Sequence, residues 1–110
     1  MKAAKITPDG TINVVTLNGL TEMQDAVGGM IEITGGNGWH AYVNEEGLVH
    51  RLPINPVVSD LLGHHIVGAA ILFGGFDDEG DEIDLSDKDL NHLLIGQART
   101  QVLNFYKERS

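Results

Sequence analysis

No cysteine occurs among the 110 residues, which excludes a disulfide framework, thiolate-bound zinc, an iron–sulfur cluster and a cysteine nucleophile. Basic residues are scarce: seven Lys and Arg stand against sixteen Asp and Glu, a formal net charge of −9. Direct binding to a nucleic-acid backbone needs clustered Lys and Arg, so it is not expected. Long apolar runs are missing as well. The longest, Ile66 to Phe76, falls far short of the ~20 residues of a membrane-spanning helix. Pro8 interrupts the N-terminus before any apolar stretch of signal-peptide length. With no cysteine and no export signal, a place in the cytoplasm is expected.

What is present suffices for one domain spanning 1–110, at 42% apolar residues. A chain of this size buries roughly two-thirds of its unfolded surface. The charge is concentrated. Between Asp77 and Asp89, eight acids face Lys88 alone, a net −7 in thirteen residues; the other 97 residues carry −2. An acidic loop (76–86) therefore separates a nearly neutral body from a last helix (87–108).

Turn and cap chemistry marks the elements. Pro8-Asp9-Gly10 joins two strand-like runs, Lys2 to Thr7 and Thr11 to Leu17, as a hairpin. Val15 and Leu17 share one face of the second run, Ile12 and Val14 the other. Both faces are then partly covered, or a bulge lies near Val14. Thr21-Glu22-Met23-Gln24 fits a capping box that opens a two-turn helix ended by Gly28-Gly29, with Met23, Ala26 and Val27 inward. Met30 to Thr34 reads as a strand with Ile31 and Ile33 inward. Gly35-Gly36-Asn37-Gly38 turns into a strand from Trp39 to Val43, and Asn44-Glu45-Glu46-Gly47 turns into a short one from Leu48 to Leu52. Asn55 caps a helix with Pro56 at its first position and Gly63 at its end, with Val57, Leu61 and Leu62 as the residues to bury. His64 to Phe73 is the central strand, covered on both faces. Ser86 caps the last helix, where Leu90, Leu94, Ala98, Val102 and Phe105 form one stripe. So wide a stripe suits a homodimer contact. The order predicts an α+β fold, a small mixed or antiparallel sheet with short helices on one face and a C-terminal amphipathic helix. The opening hairpin–helix–strand is β-grasp-like.

Candidate chemistry is sparse. Ser59 lies on a helix, Ser86 is a cap and Ser110 is terminal, so none sits in a nucleophile elbow. Gly35-Gly36-Asn37-Gly38 lacks the Lys-Ser/Thr of a phosphate loop and precedes a strand. The histidines, His40, His50, His64, His65 and His92, show no metal spacing, although a hairpin at 44–47 would bring His40 toward His50. With Gly80 at the glycine position of a calcium loop, the first and last ligands fall on Gly75 and Ser86, which cannot serve. No catalytic residue, metal or cofactor is assigned. In a strand Trp39 and Tyr42 point to opposite faces, one in the core and the other available as an anchor.

Several blocks follow one another at characteristic spacing: Gly28-Gly29-Met30-Ile31-Glu32, Tyr42-Val43-Asn44-Glu45-Glu46-Gly47-Leu48, Leu52-Pro53-Ile54-Asn55-Pro56 with Leu61-Leu62-Gly63, and Ile66 to Gly74. With the Pro8-Asp9-Gly10 hairpin they resemble a family of small bacteriophage and plasmid proteins labelled DUF3846, a domain of unknown function. The resemblance covers roughly residues 1–75 and leaves the acidic loop and last helix outside. It implies a mobile-element origin and work in the bacterial cytoplasm. The expected function is that of a non-enzymatic accessory protein that binds and modulates a host protein or defence component. The alternatives are a binder of a small nucleotide-like ligand, with Arg51, Arg99 or the histidines in its pocket, and a partial nucleic-acid mimic. Candidate contact residues are Asp77, Asp78, Glu79, Asp81, Glu82 and Asp84, which suit a basic partner surface, and Asn44, Glu45, Glu46 and Asn55 as exposed polar groups.

Overall fold

A computed structural model describes residues 1–96. Strands β1 (Lys2–Ile6) and β2 (Ile12–Thr16) form the first hairpin, followed by helix α1 (Leu20–Val27), strands β3 (Ile31–Gly36) and β4 (Trp39–Asn44), helix α2 (Pro56–Leu62) and strand β5 (Ala70–Phe73). A third helix, α3, runs from residue 87 to 96. The far part of the expected stripe (Ala98, Val102, Phe105), its homodimer contact and Arg99 lie outside the described residues. No described helix is long and apolar enough to cross a membrane.

The sheet order is β2-β1-β5-β4-β3, and every neighbouring pair is antiparallel. The fold is therefore α+β as expected. It is not a β-grasp, because β1 and β5 run antiparallel where that arrangement needs its first and last strands parallel. Nor do the helices share one face. Met23 and Val27 of α1 pack with Ala3, Tyr42, Ile71 and Phe73 on one side of the sheet. Val58 and Leu62 of α2 pack with Ala4, Ile6, Leu72 and Leu93 on the other. The physical reason is β5. All four of its residues are buried, so both of its faces need an apolar cover. The same two layers explain β2: Ile12 packs on the α2 side and Val15 on the α1 side, and the β1–β2 register runs unbroken with no bulge.

Local chemistry explains most boundaries. Gly10 takes φ 88° in the first turn, where Asp9 Oδ1 accepts from the Thr11 amide at 3.0 Å and from the Thr7 hydroxyl. The Thr7 hydroxyl, followed by Thr11, holds the Asp9 carboxyl below its ordinary range. Asn37 and Gly38, both at positive φ, make a two-residue hairpin turn between Gly36 and Trp39. The capping box at Thr21 does not form: Gly19 is the N-cap of α1, and Glu22 accepts instead from the Asn18 amide. Gly28 ends that helix in the left-handed conformation.

Further expectations are corrected. Leu48 to Leu52 is not a strand but a run of turns, closed by bonds from the His50 amide to the Glu46 carbonyl (2.9 Å) and from Leu52 to Gly47 (2.9 Å). The hairpin that would join His40 to His50 is therefore absent. The central strand begins at Ala70, not His64. Helix α2 buries Leu62 as expected but adds Val58, with Val57 and Leu61 only partly covered, and Ile33, on the same face as Ile31, stays 55% exposed because the α1-side cluster covers Ile31 but not Ile33.

Candidate functional site

Two asparagines expected to be exposed are buried and act as fasteners. Asn44, at the end of β4, donates from Nδ2 to the Val27 carbonyl (3.2 Å) and accepts at Oδ1 from the Glu46 amide (2.8 Å). One side chain thus ties the end of α1 to the start of the 45–52 turn. Asn55 donates to the Ile6 (2.9 Å) and Gly68 (3.0 Å) carbonyls and accepts from the Val58 amide (3.1 Å). It caps α2 and fastens it to β1. Asn44 and Asn55 are therefore removed from the set of contact residues. The blocks that carry the family resemblance owe two of their residues to these fastenings.

What the fastened turn presents is apolar. Leu48 and Val49 are 74% and 77% exposed, on a loop whose next residue, His50, places Nε2 3.0 Å from Glu46 Oε2. Glu45 and Glu46 are exposed beside them. Gly47 is buried beneath, where a Cβ would come within 2.8 Å of the Val67 side chain. The loop is thus held down at its root while its tip projects two aliphatic side chains. The β-rich residues of 48–52 suggest a strand and conceal this pair in the sequence; the missing alternation in Gly47-Leu48-Val49-His50-Arg51 is the signal that marks it as a loop.

Next to the loop runs a groove of about 340 Å³ along the α2 side of β3, walled by Glu32, Thr34, Leu48, Val49, His64 and His65. His64 Nε2 lies 2.9 Å from the Gly35 carbonyl and 3.4 Å from the Thr34 hydroxyl, so the imidazole covers one end of the β3 edge. Two carboxylates, Glu32 and Glu45, line the groove, and no Lys or Arg does. Among the described residues no group of three or more His, Asp and Glu is placed to hold a metal ion.

The acidic loop is a folded ribbon. Phe76 bridges to Glu82, the Gly74 amide donates to the Ile83 carbonyl at 2.7 Å, and the Ile83 amide donates to the Gly75 carbonyl at 2.8 Å. Asp77 Oδ1 accepts from the Glu79 and Asp81 amides, both at 2.9 Å, and forms the turn. Asp84 accepts from the Lys2 amide at 2.8 Å. Lys2 Nζ sits 2.6 Å from Asp87, and this hydrogen bond and charge hold the Asp87 carboxyl below its ordinary range. Beneath the ribbon Tyr42 stacks on Phe73 at 4.6 Å, and Phe76 meets Phe73 edge-on at 5.3 Å. Burial pushes the Tyr42 hydroxyl up, and the Glu82 carboxylate adds to the shift. Trp39 packs on the opposite face, so Tyr42 is in the core and Trp39 is partly covered. Asp78, Glu79 and Asp81 are left at the exposed tip with no ion pair among the described residues.

A family model described as a domain of unknown function, DUF3846, matches residues 1–97. The match runs past residue 75, so the acidic ribbon and the described residues of α3 fall inside the family region, not outside it as expected. No curated protein and no solved structure matches the chain.

Proposed function

The chain belongs to the DUF3846 family, and on that premise we propose that it is a non-enzymatic accessory protein of a phage or other mobile element, working in the bacterial cytoplasm by binding and modulating a host protein. The observation that carries the reading is the Leu48–Val49 pair. Two adjacent aliphatic side chains about three-quarters exposed, on a loop anchored by buried Asn44, expose apolar surface that association with a protein would cover. Glu45, Glu46 and Arg51 surround the pair with charge, the polar rim that such contacts have. The mobile-element setting is what the sequence resemblance implies.

A phosphorylated small ligand is less well supported. The groove beside the loop offers two carboxylates and neither Lys nor Arg, which repels a phosphate. Partial nucleic-acid mimicry loses part of its charge to structure, since Asp77, Asp84 and Asp87 serve the ribbon and β1.

The test is affinity capture from bacterial lysate with wild-type protein and with Leu48→Ser/Val49→Ser. The surface exchange leaves the fold intact, as far-UV circular dichroism checks, and captured partner falls at least about tenfold. Undiminished capture by the double variant refutes this surface as the contact.

A further inference from the structure

We propose that the free edge of β3 takes an extended segment of the partner as a sixth strand, and that this segment alternates apolar residues with Lys or Arg. This rests on the protein-binding reading above and names its mode. The hairpin register fixes which backbone groups are available. Across a two-residue turn, Gly36 and Trp39 form a hydrogen-bonded pair, and such pairs then alternate at Thr34–Ala41 and Glu32–Val43. The Glu45 amide continues the pattern by donating to the Met30 carbonyl at 2.8 Å. Ile31, Ile33 and Gly35 therefore turn their N–H and C=O groups away from β4, toward the outer edge. His64 takes the Gly35 carbonyl. Among the described residues nothing is hydrogen-bonded to the outward groups of Ile33.

Side-chain chemistry defines the occupant. Successive residues of an added strand point to opposite faces of the sheet. On the α1 side they meet Ile33, 55% exposed, which favours an aliphatic or aromatic neighbour. On the α2 side they enter the groove, where Leu48 and Val49 form an apolar wall and Glu32 and Glu45 supply charge with no Lys or Arg among the lining residues. A Lys or Arg fits there, its aliphatic stem along Leu48 and Val49 and its charged head at the carboxylates. A second copy of the chain is the weaker occupant: a six-residue edge buries far less than the roughly 1,200 Å² of a stable interface.

The experiment uses a capped synthetic peptide of alternating Val and Lys, about seven residues long, titrated into the full chain and followed by amide NMR and hydrogen exchange. The expected result is that the Ile31, Ile33 and Gly35 amides shift and that exchange at Ile33 slows at least about tenfold. A Val–Glu peptide of the same length leaves them unchanged. Ile33→Pro deletes an outward donor without touching a β3–β4 bond, and it weakens the Val–Lys peptide at least about tenfold. Ile33→Lys, which keeps the amide but replaces the apolar neighbour of the strand's Val with a charged, solvated side chain, weakens it too and stands in if the proline variant does not fold. Equal binding by both variants, equal binding of the Val–Glu peptide, or shifts confined to Ile12, Val14 and Thr16 on β2 overturn the proposal. Protection of Ile33 before peptide is added, with a doubled mass, overturns it in favour of a second copy. Partner capture that survives Ile33→Pro but is lost in Leu48→Ser/Val49→Ser refutes strand addition and leaves the protein-binding reading standing.

Discussion

Asn55 has no solvent exposure, and its amide bonds two carbonyls and one amide from three parts of the chain. Replacing it with Ala strands the Ile6 and Gly68 carbonyls and removes the cap of α2. Asn55→Ala is expected to cost about 2–4 kcal/mol in urea denaturation. Asn55→Asp keeps the capping oxygen but turns a carboxylate toward two carbonyls. Burial there raises the carboxyl pKa in the folded state, so the penalty grows as pH rises above about 4 and fades below it. A variant less stable at pH 7 than at pH 4, relative to wild type, is the result to look for. The cap at Asn55 is legible in sequence because Asn-Pro followed by Gly63 marks both ends of a helix. Its two long-range bonds are not, since Ile6 lies 49 residues away. Asn44 follows the same rule: a turn residue in sequence, it is buried against the end of α1, whose position depends on the tertiary fold.

At the scale of elements, β3 and α2 meet at Gly36. A Cβ there would sit 2.1 Å from the Leu62 carbonyl and 3.3 Å from Leu62 Cα, both backbone atoms that cannot swing away. Asn37 adds a bond from Nδ2 to the Leu61 carbonyl at 3.0 Å, so the β3–β4 turn is pinned to the end of α2. Gly36→Ala is expected to cost more than about 2 kcal/mol, with loss of hydrogen-exchange protection in α2. Gly38→Ala has open space around it but φ 84°, so it costs only about 1–2 kcal/mol of left-handed strain. The reverse order of these two effects in denaturant unfolding contradicts the contact. Asn-Gly announces the hairpin in sequence; the need for Gly36 arises only when α2 is laid across its backbone. Likewise the apolar run at 66–73 predicts a strand buried on both faces, but not that α1 and α2 supply the two covers from opposite sides.

For the whole molecule the charge is the defining quantity, and the fold divides it into two populations. Asp77, Asp84 and Asp87 are engaged in the ribbon and with Lys2, while Asp78, Glu79 and Asp81 project from its tip. Neutralising the tip with Asp78→Asn/Glu79→Gln/Asp81→Asn is expected to leave stability within about 0.5 kcal/mol of wild type. Binding through β3 and the 45–52 loop is expected to stay unchanged. A large drop in partner capture by this variant transfers the contact to the ribbon.

Composition and spacing determined that this chain is an α+β domain, where the Asn55 cap and the hairpins at Asp9-Gly10 and Asn37-Gly38 lie, and that its charge sits in one segment. Those properties depend on backbone sterics and on neighbours a few residues apart, which the sequence contains directly. Tertiary structure alone decided the antiparallel order of the sheet, which helix covers each of its faces, the burial of Asn44 and Asn55, and the exposure of Ile33, Leu48 and Val49. Each of these depends on contacts between segments distant in the chain. The candidate site is built from just such residues: an edge strand left outside its covering helix, and a loop held at its root by an asparagine bonded 17 residues back.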